Sequence, residues 1–139
     1  MKIRPYHSND QDQVIQLWQD SGLVVSHNHP ARDIERKLGV NPEWFLVGEI
    51  DDRIIASCMA GYEGHRGWIN YLAVSPPFQN RGYASRLMVE AETLLKRAGC
   101  PKINLQIRST NQKVIAFYKS LGFHIDDVVS MGKRLEPDE

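Results

Sequence analysis

Val74-Ser-Pro-Pro-Phe-Gln-Asn-Arg-Gly-Tyr-Ala-Ser-Arg-Leu-Met88 is the stretch that decides the fold. An apolar run that reads as a buried strand ends at Val74, two prolines punctuate it, and a short polar loop leads to Gly82, which opens a helix. The first N–H groups of a helix have no intrahelical acceptor, and the helix dipole adds positive potential at the same end. A loop wrapped around such an end is a phosphate cradle built from backbone, with Gly82 allowing close approach of a ligand. The same residues also make an ordinary strand-to-helix connection. A second segment separates the two readings.

That segment is Asn111-Gln-Lys-Val-Ile-Ala-Phe-Tyr-Lys-Ser-Leu-Gly-Phe123. Asn111 suits a helix N-cap, and Gly122 stands where a helix end takes a left-handed residue. Val114, Phe117, Tyr118 and Leu121 recur between them at helical spacing. Alone this is a short amphipathic helix. Paired with Gln79-x-x-Gly82-x-Ala84 about thirty residues earlier, it closely resembles the two signature segments of the GNAT superfamily of acetyl coenzyme A-dependent N-acetyltransferases. Element order and chain length extend the resemblance over the whole sequence. Gly61-Tyr-Glu-Gly-His-Arg-Gly67 and Asp33-Ile-Glu-Arg-Lys37 are similar to a subgroup of small bacterial members, the YpeA type.

Composition sets the outer bounds. At 139 residues the chain is expected to form one domain, residues 1–139, and its 42% hydrophobic content supports a real core. Seventeen basic and 17 acidic residues balance to zero net charge, which argues against a general nucleic-acid surface. Cys58 and Cys100 have no zinc-like spacing and read as buried or neutral thiols. The first residues carry no apolar signal region, and no run approaches the ~20 apolar residues of a membrane span. A cytoplasmic protein without a membrane partner is the expectation.

Along the chain, Lys2 to Arg4 reads as a first strand closed by Pro5, and Ser8 or Asn9 as the cap of a helix to about Asp20, stopped by Gly22. An irregular stretch containing His27 and His29 leads to a second helix, Ala31 to about Leu38. Two strands, Phe45 to Ile50 and Arg53 to Tyr62, flank the hairpin signal Asp51-Asp52. Trp68 to Val74 follows as a strand, then a helix from Gly82 to Ala98, a strand from Lys102 to Ile107 and the Asn111 helix. Phe123 to Ile125 and Val129 to Leu135 read as a closing pair of strands. The expected fold is α/β: a mixed, mostly antiparallel central sheet flanked by helices, with a crossover through the Gly82 helix, the order of a GNAT (acyl-CoA N-acyltransferase) domain.

The resemblance implies a chemistry. Acetyl transfer from a thioester to an amine needs the pyrophosphate held, the thioester carbonyl polarised and the amine neutral. The loop carries the first task, through Gln79, Arg81, Gly82, Tyr83, Ala84 and Ser85; Ala84 replaces a glycine common in the family. The second falls to the backbone of Leu72, Ala73 and Val74, where family members splay two parallel strands. Asn111 completes the implied donor-binding set. Tyr118 matches the tyrosine that protonates the leaving thiolate in many members, and a phenol of pKa near ~10 suits that exchange. Packing of its ring on the core is the alternative.

The base is open. A lysine amine is only about one part in 2,500 neutral at pH 7, against about a tenth for an α-amine, so a lysine-directed enzyme has the greater need of one. The strand Trp68 to Val74 lacks the glutamate that other members place there. Glu63 in the preceding turn is the remaining acid, as base or as a solvated hairpin residue. Asn70 or Tyr71 positioning a water, or His65, are further options. His27-Asn-His29 has metal-ligand types but no accompanying acidic or cysteine cluster, so no metal is expected, and the two histidines read as substrate-facing or simply exposed. Acetyl coenzyme A is then the donor, with a small-molecule or peptide amine as acceptor and a homodimer as a possible assembly. A non-catalytic acyl coenzyme A-binding or sensor module of the same fold is the alternative. A P-loop phosphotransferase is set aside, because Arg81-Gly82-Tyr83 offers neither the lysine nor the hydroxyl that motif uses.

Overall fold

The chain opens with strand β1 (Lys2–Pro5), a 3-10 turn, helix α1 (Gln11–Asp20) and helix α2 (Pro30–Leu38). Strands β2 (Phe45–Ile50), β3 (Arg53–Tyr62) and β4 (Gly67–Val74) follow, then helix α3 (Tyr83–Arg97), the short strand β5 (Ile103–Asn104) and helix α4 (Gln112–Ser120). This computed structural model describes residues 1–25 and 28–137. It divides into two compact units, Met1–Leu105 and Gln106–Glu139.

In the first unit one sheet runs β1-β2-β3-β4-β5. The first three pairings are antiparallel, and β5 joins β4 in parallel. The mixed, mostly antiparallel sheet flanked by helices is therefore as expected. Asp51 and Asp52, with φ of 48° and 62°, make the tight β2–β3 hairpin turn that the sequence signals. β2 and β3 are buried on both faces, as a central sheet requires. Val14, Leu17 and Trp18 of α1 and Ile34 of α2 pack with Phe45, Val47, Ile54, Met59 and Ala73. The other face is covered by Leu87, Met88, Ala91 and Leu95 of α3. Gly67 is fixed by that packing, since a Cβ there would lie 2.7 Å from Cys100 Sγ and 3.2 Å from Leu95 Cδ1.

Three expectations change. The first helix is capped by neither Ser8 nor Asn9; those residues begin a 3-10 turn, and Asp10 accepts the His7 N–H at 2.8 Å. The strand expected over 102–107 shortens to Ile103–Asn104. The expected strands over 123–125 and 129–135 are absent among the described residues. Strand propensity expresses packing on a half-buried surface, and Ile125, Val128, Val129, Met131 and Leu135 stand 73–91% exposed.

Asp10 carries a second load. Arg4 grips it through Nη1 at 2.8 Å and Nη2 at 2.9 Å, and also bonds Glu49 Oε2 of β2 at 2.8 Å, tying β1, α1 and β2 together. The hydrogen bond from Arg4 holds the Asp10 carboxyl below the usual carboxylate range, against the upward pull of burial. That stabilisation is complete above about pH 4, the ordinary unfolded value, and is lost as pH falls through the lower folded value. Asp10→Asn is expected to destabilise the protein by about 2 kcal/mol at pH 7. The gap to wild type should close progressively below pH ~4 in urea melts.

Candidate active site

β4 is shaped by a bulge. Its register with β3 runs Asn70 to Met59 and then Ala73 to Ser57, so Tyr71 and Leu72 together face Cys58. Tyr71 takes a φ of 51°, rare for a residue with a Cβ, and the in-out alternation of β4 breaks there. The Ser57 hydroxyl donates to the Tyr71 carbonyl at 2.8 Å and accepts from Trp18 Nε1 at 2.9 Å. The Tyr71 ring stacks on Trp18 with centroids 3.8 Å apart, and its hydroxyl donates to Asp33 Oδ2 of α2 at 2.5 Å.

The parallel partnership of β4 is short. β5 pairs with it only at Gly67↔Ile103 and Trp68↔Asn104. Among the described residues no further β5 pair follows, so Leu72, Ala73 and Val74 lie beyond the last one. Ser75 N–H donates to Ile55 O at 2.8 Å and keeps the β4 end on β3.

The loop leaves this end in a fixed shape. Gln79 Nε2 donates to the Val74 carbonyl at 3.0 Å, bracing the loop to the strand it leaves. Asn80 and Gly82 both have positive φ, 63° and 82°, and Gly82 is the α3 N-cap. The Arg86 N–H donates to the Gly82 carbonyl at 3.1 Å. Tyr83, Ala84 and Ser85 precede that bond, so their N–H groups are the first-turn donors without intrahelical acceptors. A Cβ on Gly82 would meet nothing within 4 Å, so the glycine is needed for its backbone angle and leaves open space over the helix end. The exposed Arg81 guanidinium lies 5.5 Å above the Phe78 ring and adds a cation to the loop. The donor set is thus backbone amide plus one arginine, which suits a phosphate anion.

Glu63 lies in the exposed β3–β4 turn, where Oε1 accepts the N–H groups of His65 at 3.1 Å and Arg66 at 2.5 Å. One carboxylate oxygen therefore shapes the turn, and any proton-accepting role falls to Oε2. His29 caps α2, its Nδ1 accepting from the Arg32 N–H at 3.4 Å. His27 lies outside the described residues. Among the described residues no group of three or more His, Cys, Asp or Glu could hold a metal ion. Lys37 of α2 donates to the Ala60 carbonyl at 2.5 Å, and burial pulls its pKa down. Cys58 is fully buried and its thiol is pushed up to about 12 by burial, so it is inert at neutral pH.

In the second unit, Asn111 Oδ1 accepts the Val114 N–H at 3.2 Å and caps α4 as expected. Tyr118 is buried, with edge-on contacts to Phe117 at 5.1 Å and Phe123 at 5.5 Å. The Phe123 N–H closes the helix end onto the Tyr118 carbonyl at 3.1 Å, and Gly122 supplies the left-handed turn with φ 95°. The Tyr71 bulge and its Ser57 and Trp18 supports carry no sequence signal, because each depends on partners far along the chain.

A mixed, mostly antiparallel sheet whose fourth strand leads into a glycine-opened helix is an architecture of the acyltransferase type. The family model of the acetyltransferase (GNAT) family matches residues 11–123. Acetyltransferase YE1169 of Yersinia enterocolitica is 43% identical over 139 residues, 100% of this chain and 99% of that protein. The structure of Ard1 from Thermoplasma volcanium superposes with a TM-score of 0.78 at 25% identity, over 90% of this chain and 83% of that one. The PaiA N-acetyltransferase of Thermoplasma acidophilum, solved in complex with coenzyme A, superposes with a TM-score of 0.74 at 19% identity, over 92% of each chain. The chain belongs to the GNAT acetyltransferase family. Among the described residues no helix is long and apolar enough to cross a membrane.

Proposed function

We propose that this protein transfers the acetyl group of acetyl coenzyme A to a primary amine of a small molecule or peptide, by direct attack within a ternary complex. The whole chain acts as one acetyltransferase domain. The observation that carries the reading is the end of β4: its β5 partner stops at Trp68, and the next helix presents its first N–H groups beside an open Gly82.

Acetyl coenzyme A supplies an activated acyl group as a thioester. The amides of Gly82, Tyr83, Ala84 and Ser85, with Arg81 and Gln79, hold its pyrophosphate. Leu72, Ala73 and Val74 offer the backbone edge that binds the pantetheine arm and polarises the carbonyl. Asn111 completes the donor-binding set. Tyr118 gives the departing thiolate a proton as general acid, and Glu63 takes the proton of the attacking amine through Oε2. One observation favours the alternative of a non-catalytic acyl coenzyme A sensor: β4, Gly-Trp-Ile-Asn-Tyr-Leu-Ala-Val, carries no carboxylate. Turnover separates the two.

Calorimetric titration with acetyl coenzyme A, beside ATP and NAD, tests the donor site. Selective binding of the thioester is expected, and a folded protein that binds none of them would refute the reading. Gly82→Asp should abolish the binding by placing charge and bulk at the phosphates; unchanged affinity would remove the cradle. Tyr118→Phe should lower kcat about 100-fold, the lower end for a lost acid, while donor affinity stays within about twofold. Turnover is read with an amine from a screen of peptide α-amines and small primary amines. With the same amine, Glu63→Gln should flatten the acidic limb of the pH–rate profile, and an unshifted profile would exclude Glu63 as the base.

A further inference from the structure

The β4 bulge is held by a buried polar pair that the transfer chemistry does not itself use. Ser57 and Trp18 are both 0% exposed, and a polar pair at that depth is tolerated only when its hydrogen bonds are made. Both are: Trp18 Nε1 donates to Ser57 Oγ at 2.9 Å, and Ser57 Oγ donates to the Tyr71 carbonyl at 2.8 Å. The carbonyl they hold belongs to the residue with φ of 51°, a conformation that is costly by about 1 kcal/mol or more for a residue with a Cβ. The ring of that residue is pressed on Trp18 at 3.8 Å, and its hydroxyl is tied to Asp33 of α2. Three contacts thus over-determine one strained backbone unit, and the strain sits in β4 beyond its last β5 pair. An alanine at position 57 would occupy nearly the same buried space without holding the carbonyl.

We propose that Ser57, oriented by Trp18, is a positioning residue that sets the bulged Tyr71–Leu72 backbone for the thioester carbonyl. This rests on the donor-site reading above. By occupying the Tyr71 carbonyl, Ser57 fixes the peptide plane that joins Tyr71 to Leu72, and the orientation of the Leu72 amide follows from that plane. Loss of the hydroxyl frees the plane to relax towards a regular strand. The donor's phosphates, held by the α3 end, would not sense that change, whereas a carbonyl received by the bulge would.

The test compares acetyl coenzyme A with S-ethyl coenzyme A, a thioether of similar size that lacks the carbonyl, by calorimetric affinity. The wild type should prefer the thioester. Ser57→Ala should lower that preference about fivefold, the worth of roughly one hydrogen bond, while the affinity for the thioether is kept. Trp18→Phe, which retains the stacked ring and removes only the indole N–H, should shift the preference in the same direction by about twofold, and it decides the matter if Ser57→Ala does not fold. Parallel weakening of both compounds would make the pair merely structural and overturn the proposal, as would a preference left intact in the variants. A wild type that binds neither compound refutes the donor site and the role of Ser57 with it. A wild type that binds both, with a preference the variants do not change, refutes Ser57 alone.

Discussion

A strand that loses its neighbour on one side exposes a row of N–H and C=O groups, and in a protein interior each of these needs a partner. β4 meets that constraint in an unusual way. β3 serves one edge along its length, but β5 serves the other only at Gly67 and Trp68. Beyond that point the bulge turns the Tyr71 carbonyl to the hydroxyl of Ser57 on β3 itself, and the Val74 carbonyl is taken by Gln79 of the following loop. Those two bonds hold the end of β4 beyond its last β5 pair. The same bonds fix the start of the loop, because Gln79 lies within it.

The helices around β4 are placed by the same economy of contacts. Trp18 of α1 fills the core, stacks on the bulged tyrosine and supplies the hydrogen bond that orients Ser57. Asp33 of α2 receives the Tyr71 hydroxyl, so a shift of α2 is felt at the bulge. At the far end of the sheet, Arg4 joins Asp10 and Glu49 and anchors the chain's first strand to the helix that carries Trp18. A change at that ion pair therefore reaches the bulge through α1.

How much of this was legible in the sequence follows from the distance over which each feature is decided. Gly82, Gly122, Asn111 and the Asp51-Asp52 turn answer to local backbone angles or to a bond three residues away, and all are found where the sequence put them. The expectation that β4 and β5 part came through resemblance, since nothing in residues 68 to 74 announces it. The bulge was not legible: Trp18, Ser57 and Tyr71 meet across 39 and 14 residues of chain, and a tyrosine with positive φ leaves no trace in composition. The cap of the first helix was misplaced because Asp10 acts backwards onto His7 while also serving Arg4. The closing strands failed for the opposite reason: Val129 to Leu135 contains residues of strand propensity, but Val129, Met131 and Leu135 are exposed and have no packing to express it.

The division between backbone and side chain also explains why the family resemblance carries the donor and stops at the acceptor. On the proposed reading phosphates are met at the α3 end by amide groups, whose position depends on the Gly82 backbone angle more than on the side chains around it. On the same reading an amine acceptor has to be read by side chains, and polar groups that lie near β4 include those of α2, which reaches Tyr71 through Asp33, and of the β3–β4 turn. There Asp33 is shared between Tyr71 and Arg36, Lys37 is committed to the Ala60 carbonyl, and Glu63 is half spent on its own turn. A binding group whose hydrogen bonds are already engaged contributes affinity only when the acceptor offers a better partner.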